Sequence, residues 1–195
     1  MKMRKLALGA VLVLALTSVG QAAEWKIDPV HSSAEFKVSH LVISKVKGKF
    51  GTFEGTINFD GNEVGNGRAE VTIQTASVDT DNENRDKHLK SADFFDVEKF
   101  PTMTFKSTKV TKGEGESFKL TGDLTIKNMT KSVTFDCVYH GAVDFMGSRK
   151  AGFSAQTTID RTEFGLTWSK TLETGGLVVG DDVDIYLELE VDEVK

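Results

Sequence analysis

The stretch "SFKLTGDLTIK", Ser117 to Lys127, decides the fold class. Phe118, Leu120, Gly122, Leu124 and Ile126 fall on one phase of a period of two; Lys119, Thr121, Asp123, Thr125 and Lys127 fall on the other. A strand turns successive side chains to opposite faces, so this segment reads as a strand with one apolar and one wet face. The pattern recurs on both sides of it. "SAEFKVSH" aligns Ala34, Phe36, Val38 and His40. "GTFEGTINFDG" aligns Phe53, Gly55, Ile57 and Phe59 and ends in an Asp60-Gly61 turn, with Phe50 out of phase and a bulge expected at Gly51. "RAEVTIQTASV" aligns Ala69, Val71, Ile73 and Thr75, and "TMTFKST" aligns Met103, Phe105 and Ser107. Downstream, "SVTFDCVYHG" aligns Val133, Phe135, Cys137 and Tyr139, and "KAGFSAQTTID" aligns Ala151, Phe153, Ala155, Thr157 and Ile159. "DDVDIYLELEVD" aligns Val183, Ile185, Leu187, Leu189 and Val191, and "EWKID" adds a short strand at the start.

One wet face and short turns are the antiparallel pattern. About eight such strands either close as a barrel or stack as a sandwich, and no Cys–Trp–Cys arrangement supports an immunoglobulin domain. A closed barrel of this size can hold one small ligand. Its inward faces mix Phe with Gly55, Ala69, Gly122, Ala151 and Ala155. That mixture fits tight interdigitation, and it equally fits a hollow channel. Strands of ~11 residues give a barrel ~28 Å tall at ~40° tilt. A channel that deep, walled by Phe and aliphatics, suits a long apolar chain rather than a sugar or nucleotide.

The N-terminus stands apart from this pattern. "MKMRK" is basic, "LALGAVLVLAL" is apolar but too short to cross a bilayer, and "GQA" places small residues before a cleavage point after Ala22. Residues 1–22 read as a secretory signal peptide, leaving 23–195 as a single soluble, exported domain with no stable membrane anchor. Without Lys2, Arg4 and Lys5 the remainder carries 21 basic and 29 acidic residues, a net charge near −8. Such a surface argues against nucleic acid and against anionic membrane surfaces. One cysteine, Cys137, permits no internal disulfide, so the core must hold the fold.

Alternation stops between Ser77 and Pro101. "TDNE" is a capping box with Thr80 at the N-cap and Glu83 at N3, which predicts a helix over about 81–90. Glu83–Lys87 and Asp86–Lys90 are spaced i,i+4 on wet strips, while Arg85, His88, Leu89 and Ala92 share a face expected to turn toward the barrel. Phe94 and Phe95 follow. This insert reads as a cap whose Arg85 and His88 hold an anionic or carbonyl head group while Phe94 and Phe95 pack on a tail. The alternative is that Arg85 and His88 bond loop carbonyls and carboxylates and so pin the helix. Asp86, His88 and Ser91 supply triad residue types, yet they radiate from one short segment, and there is no G-x-S-x-G elbow. His31, His40, His88 and His140 lack metal-ligand spacing. The reading is therefore non-enzymatic, with no metal and no cofactor. A second long loop, "LTWSKTLETGGLVVGDD", carries Trp168, Leu172, Leu177 and Val178 with Gly175-Gly176 and is expected to fold over a barrel end, as entrance or as plug.

Several stretches carry a resemblance: "WKIDPVHSSAEFKVSHL", "GKFGTFEGTINFD", "ASVDTDNENRDKHLKSADFFDVEKFPTMTFKST", "LTGDLTIKNMTKSVTF", "AGFSAQTTIDRTEFGL" and "ETGGLVVGDDVDIYLELE". Together they resemble the YceI-like family of polyisoprenoid-binding exported proteins. The resemblance implies an all-β, eight-stranded, lipocalin-like antiparallel barrel, a periplasmic location, and a polyprenyl phosphate or quinone tail bound inside. The expected tail contacts are Phe36, Val38, Phe53, Ile57, Phe105, Phe118, Leu120, Phe135 and Phe153. The expected head or mouth contacts are Arg85, His88, Phe94, Phe95, His40 and Trp168. The competing expectation is a structural or stress-response interaction protein with a filled barrel. A homodimer is left open.

Overall fold

Every alternating segment leaves a row of backbone donors and acceptors that a neighbouring strand must satisfy. In the computed structural model, which describes residues 23–61, 64–171 and 176–195, a single closed sheet does so. The expected signal peptide, together with Leu172 and Gly175 of the long loop, lies outside the described residues. The strands are β1 (Ala23–Ile27), β2 (Ser33–His40), β3 (Ser44–Phe50), β4 (Phe53–Phe59), β5 (Arg68–Gln74) and β6 (Val78–Asp79). Helix α1 (Glu83–Lys90) follows, then β7 (Thr102–Lys112), β8 (Ser117–Ile126), β9 (Met129–Phe145), β10 (Ser148–Asp160) and β11 (Val179–Glu193).

The ring runs β1-β4-β5-β7-β8-β9-β10-β11, and β1 pairs with β11 to close it. All pairings are antiparallel. β2 continues β1 along the same edge of β11, β3 pairs with β2, and β6 pairs with β3. Three of the eight barrel strands are thus each broken once, at 28–32, at 51–52 and at 75–77. The second break is the bulge expected at Gly51. At the first break Ser32 replaces the missing ladder: its hydroxyl donates to Glu190 O (3.2 Å) and accepts from Glu190 N (3.0 Å).

β3 is a strand that the alternation did not single out. Only Val46 and Phe50 are apolar in it, facing away from Lys45, Lys47 and Lys49, so the hydrophobic signal is thin there. Its Gly48 makes room for the Phe36 ring, since a Cβ would meet Phe36 Cζ at 2.3 Å. Gly122 does the same for Phe105 on β8: a Cβ there would meet Phe105 Cζ and Lys106 O at 2.5 Å each.

One barrel end is shut by aromatic rings. Trp25 is fully buried and packs on Phe59 (4.9 Å), which meets Tyr139 (5.7 Å) and Phe153 (5.4 Å). The Tyr139 hydroxyl and Arg149 Nη2 both donate to Gly61 O at 3.0 Å. Burial pushes the Tyr139 phenol above its ordinary range. The opposite end carries α1, the β2–β3 hairpin and the loop before β11.

On the outside, at the first break, Lys150 bridges Glu190 and Asp192 (2.8 Å each) and Asp28 (3.4 Å), while His31 bonds Asp28 at 2.8 Å. These bonds, His31 first and then the Val30 N–H, hold the Asp28 carboxyl down from 3.8 to about 2. Asp28 in turn raises His31 above its ordinary 6.5.

Gly122→Ala should cost about 1–3 kcal/mol in urea unfolding, because the new methyl meets backbone on β7 and cannot be relieved by a rotamer change. The stability gap between the wild-type chain and Asp28→Asn should depend on pH with a definite sign. The Asp28 contribution is complete above 3.8 and is lost as pH falls through about 2. The His31 contribution is complete below 6.5 and is lost as pH rises through its raised folded value. Thermal unfolding across the pH range should show the largest gap between those limits; a flat gap would contradict the assignment.

Candidate functional site

Strand register fixes what faces inward. Phe118, Cys137, Ala155, Leu187 and Ala34 stand side by side across β8, β9, β10, β11 and β2, forming one inward tier. Val110, Leu120 and Phe135 form the next across β7, β8 and β9. The interior is not filled. These side chains enclose a cavity of about 230 Å3 whose wall is almost wholly aliphatic and aromatic. Many of them, Phe36, Ile57, Phe105, Leu120, Ile185 and Leu189 among them, are only half-buried although they point inward, because they face this space.

β8 gives the scale. It contributes lining residues from Phe118 to Ile126. Eight residue steps at ~3.3 Å make ~26 Å of strand, or ~20 Å of axis at ~40° tilt. All nine residues expected against a tail line the cavity: Phe36, Val38, Phe53, Ile57, Phe105, Phe118, Leu120, Phe135 and Phe153. Cys137 shares the wall, and desolvation pushes its thiol up to about 12, so it behaves there as a small apolar group.

The insert caps this space, with corrections in detail. Phe94, Phe95 and Leu89 line the cavity; Arg85, His88, His40 and Trp168 do not. Asn82, not Thr80, caps the helix, its side chain accepting from Arg85 N at 3.0 Å. Thr80 is buried and already committed elsewhere. Its N–H (2.9 Å) and hydroxyl (2.5 Å) donate to Asp86 Oδ1, and its own carbonyl and hydroxyl accept Arg85 Nη2 and Nε at 2.7 Å. Arg85 therefore pins the helix to the chain before it. Ala92 is exposed rather than inward, because α1 ends at Lys90 before the face reaches it.

His88 bonds the Asp93 carboxylate at 2.8 Å and sets its ring edge against Phe94 (5.1 Å) and Trp168 (4.8 Å). It joins insert to loop from outside the cavity. The Ser91 hydroxyl donates to the His88 carbonyl (2.7 Å), and Asp86 is held by Thr80, so these three side chains form no nucleophile–base–orienter chain. His40 is half-buried at the β2–β3 turn, and His140 bonds Ser154 on the wet face (3.0 Å). The Asp28–His31–Glu190 grouping offers three ligand atoms, but the Lys150 ammonium already bonds both of its carboxylates.

The residue that sequence reading missed is Arg161. It is 3% exposed and reaches the cavity wall beside Leu166. Its five N–H groups meet five acceptors: Gly180 O (2.8 Å), Leu166 O, Trp168 O (3.0 Å), Val179 O (3.2 Å) and Asp181 Oδ1 (3.0 Å). Desolvation lowers its pKa from the usual arginine range, and Asp181 opposes that shift. The guanidinium has no donor left over; it is a clasp that ties both ends of the long loop to the end of β10. A signal existed. Continuing the period of two from Ile159 puts Arg161 on the inward phase.

A closed eight-stranded barrel, a hollow apolar bore and an N-capped insert can now be set beside known proteins. The YceI-like domain matches residues 25–191. The chain belongs to the YceI-like family. A UPF0312 protein of Staphylococcus aureus strain USA300 is 43% identical over 165 residues, which is 84% of this chain and 94% of that one. Among solved structures, a Campylobacter jejuni YceI protein is 34% identical with a TM-score of 0.69, covering 97% of this chain and 100% of its own. A polyisoprenoid binding domain from Saccharophagus degradans, implicated in plant cell wall breakdown, shares the fold at 14% identity and a TM-score of 0.65, over 87% of this chain and 98% of that one.

In this YceI-like barrel the Arg161 clasp gives a direct test. Arg161→Lys keeps the charge but has too few donors for five acceptors, and should cost about 2–5 kcal/mol through buried carbonyls left unpaired. Limited proteolysis should then cut faster between Gly165 and Gly180, while an unchanged cleavage rate would show that the clasp does not hold the loop.

Proposed function

We propose that this protein is a non-catalytic, exported carrier that buries the tail of a long-chain isoprenoid lipid, a polyprenyl phosphate or a quinone, in its barrel. The observation that carries this reading is the apolar cavity, about 230 Å3 in volume and open over most of the barrel height. At ~1.2 Å per bond of an extended chain, ~20 Å accommodates roughly four isoprene units. Each CH₂ removed from water contributes ~0.8 kcal/mol, so affinity comes from the tail and needs no charged partner. The likeness in fold to a polyisoprenoid binding domain supports the same class of ligand. A filled barrel with a purely structural role has the cavity against it. Export to a periplasm rests on the leader-like residues 1–22, and the acidic surface suits a soluble carrier.

In this reading the tail lies along the nine wall residues named above, and Phe94 and Phe95 pack on its first units beneath α1. The head group sits at that end of the barrel, since rings close the other. Organic-solvent extraction of the purified mature chain, followed by mass spectrometry, should release an isoprenoid, and delipidated protein should take up added polyprenyl ligand. Ala155→Trp should fill the bore from the wall and abolish uptake while the thermal midpoint stays within a few degrees, because the ring enters vacant space. Recovery of no lipid together with no uptake by the wild-type chain would falsify the carrier reading.

A further inference from the structure

We propose that the β2–β3 hairpin is a membrane-docking tip that seats the barrel mouth on an anionic phospholipid bilayer. The inference rests on the carrier reading and adds the surface from which the lipid is taken.

The first observation is a turn built against its own chemistry. Leu41 and Val42 both have left-handed backbone, with φ of 53° and 65°. A hairpin turn of this hand calls for Asn-Gly, and a β-branched residue there is strained. The strain does not secure burial: Val42 is 69% exposed and Ile43 86%. Two large aliphatic side chains are held in water on a strained turn, a local violation of the kind that marks functional positions.

The second observation is charge. Between Glu35 and Glu54 the sequence has four lysines and no acidic residue, in a chain that is otherwise acidic. Lys37, Lys45 and Lys47 stand on the outer face of β2 and β3 behind the tip, with Lys49 farther back opposite Glu35. Lys45 meets Asp184 and Lys49 meets Asp79, both as surface pairs that a bilayer can replace. The excess belongs to the hairpin strands themselves, since Asp184 of the adjoining β11 stands opposite Lys37 and pairs with Lys45. An apolar tip backed by lysines matches the layering of an anionic bilayer, with hydrocarbon beyond phosphate.

The third observation is position. Val38, Val179 and Val183, on the strand ends that carry and flank this hairpin, line the cavity. The tip therefore stands at the cavity's capped end, where a chain leaving a bilayer has the shortest way to the barrel interior.

The test is flotation of the purified mature chain with vesicles of phosphatidylglycerol and phosphatidylethanolamine, against pure phosphatidylcholine. Binding should favour the anionic vesicles and weaken in high salt. Leu41→Asn/Val42→Gly should raise the thermal midpoint, because it relieves the turn, and yet weaken binding at least roughly tenfold. Lys45→Gln and Lys47→Gln should each weaken it roughly fivefold. Phe145→Ser/Met146→Ser, at the exposed turn of the opposite end, should leave it unchanged. Absence of vesicle binding by the wild-type chain, retention of it in Leu41→Asn/Val42→Gly, or its loss in Phe145→Ser/Met146→Ser would each overturn the proposal. A chain that yields lipid on extraction but ignores vesicles sinks this inference and leaves the carrier reading intact. Vesicle binding by a chain that carries no lipid does the reverse.

Discussion

Three residue pairs make the molecule a container: Trp25 opposite Glu193, Lys26 opposite Asp192 and Ile27 opposite Val191. They join the first described strand to the last and leave the ring of eight without a free edge. An open antiparallel sheet with this alternation would expose its Phe-rich face or need a second sheet to cover it. Closure turns that face inward on itself. Val191 and Trp25, at the joint, have no solvent exposure, so the seam is secured by burial as well as by the ladder.

Closure alone does not decide whether the inside is solid. That depends on how ring size and side-chain size balance along the axis. Near Trp25 four aromatic rings shut the bore: Phe59 meets Tyr139 and Phe153 edge to face, and Trp25 packs tilted on Phe59. Further along, tiers such as Phe118, Cys137, Ala155, Leu187 and Ala34 place two small residues and a thiol among larger side chains, and the space between them stays vacant. At the far end cover comes from irregular chain, held by polar bonds that sit beside the cavity rather than in it. Arg85 holds Thr80, His88 holds Asp93, and Arg161 holds four carbonyls and a carboxylate. Arg85 and His88, the charged groups that look functional in the sequence, bond protein groups beside the apolar cover.

Much of this was legible because period-two alternation states which side chains share a face. Phe118 through Ile126 needed no structure to be placed inward, and all nine expected wall residues are on the wall. Hollow against filled was not legible, since it turns on cross-strand packing such as Phe105 over Gly122 and Phe36 over Gly48. The cap of α1 is ambiguous by two residues in the sequence, since Thr80 and Asn82 are both good caps and only the bond to Asp86 withdraws Thr80. β3 is hard to read because it has only Val46 and Phe50 among three lysines. Arg161 is hidden in the sequence because an arginine on an apolar phase reads as the end of a strand, not as a buried hub.

The interruptions in the first three barrel strands fall side by side, at 28–32, 51–52 and 75–77, and make one crease across adjacent strands. On one side of the crease the ring is a complete hydrogen-bonded hoop. On the other, β6 pairs with β3 alone, and the circuit is completed by side chains, with α1 against β6 and the Phe95 ring against Phe50 at 5.7 Å. A hoop has a fixed circumference, but a lap joint of side chains can widen by sliding, without a ladder bond being broken. The barrel therefore has a base whose girth is set by backbone hydrogen bonds and a collar whose girth is set by side-chain packing.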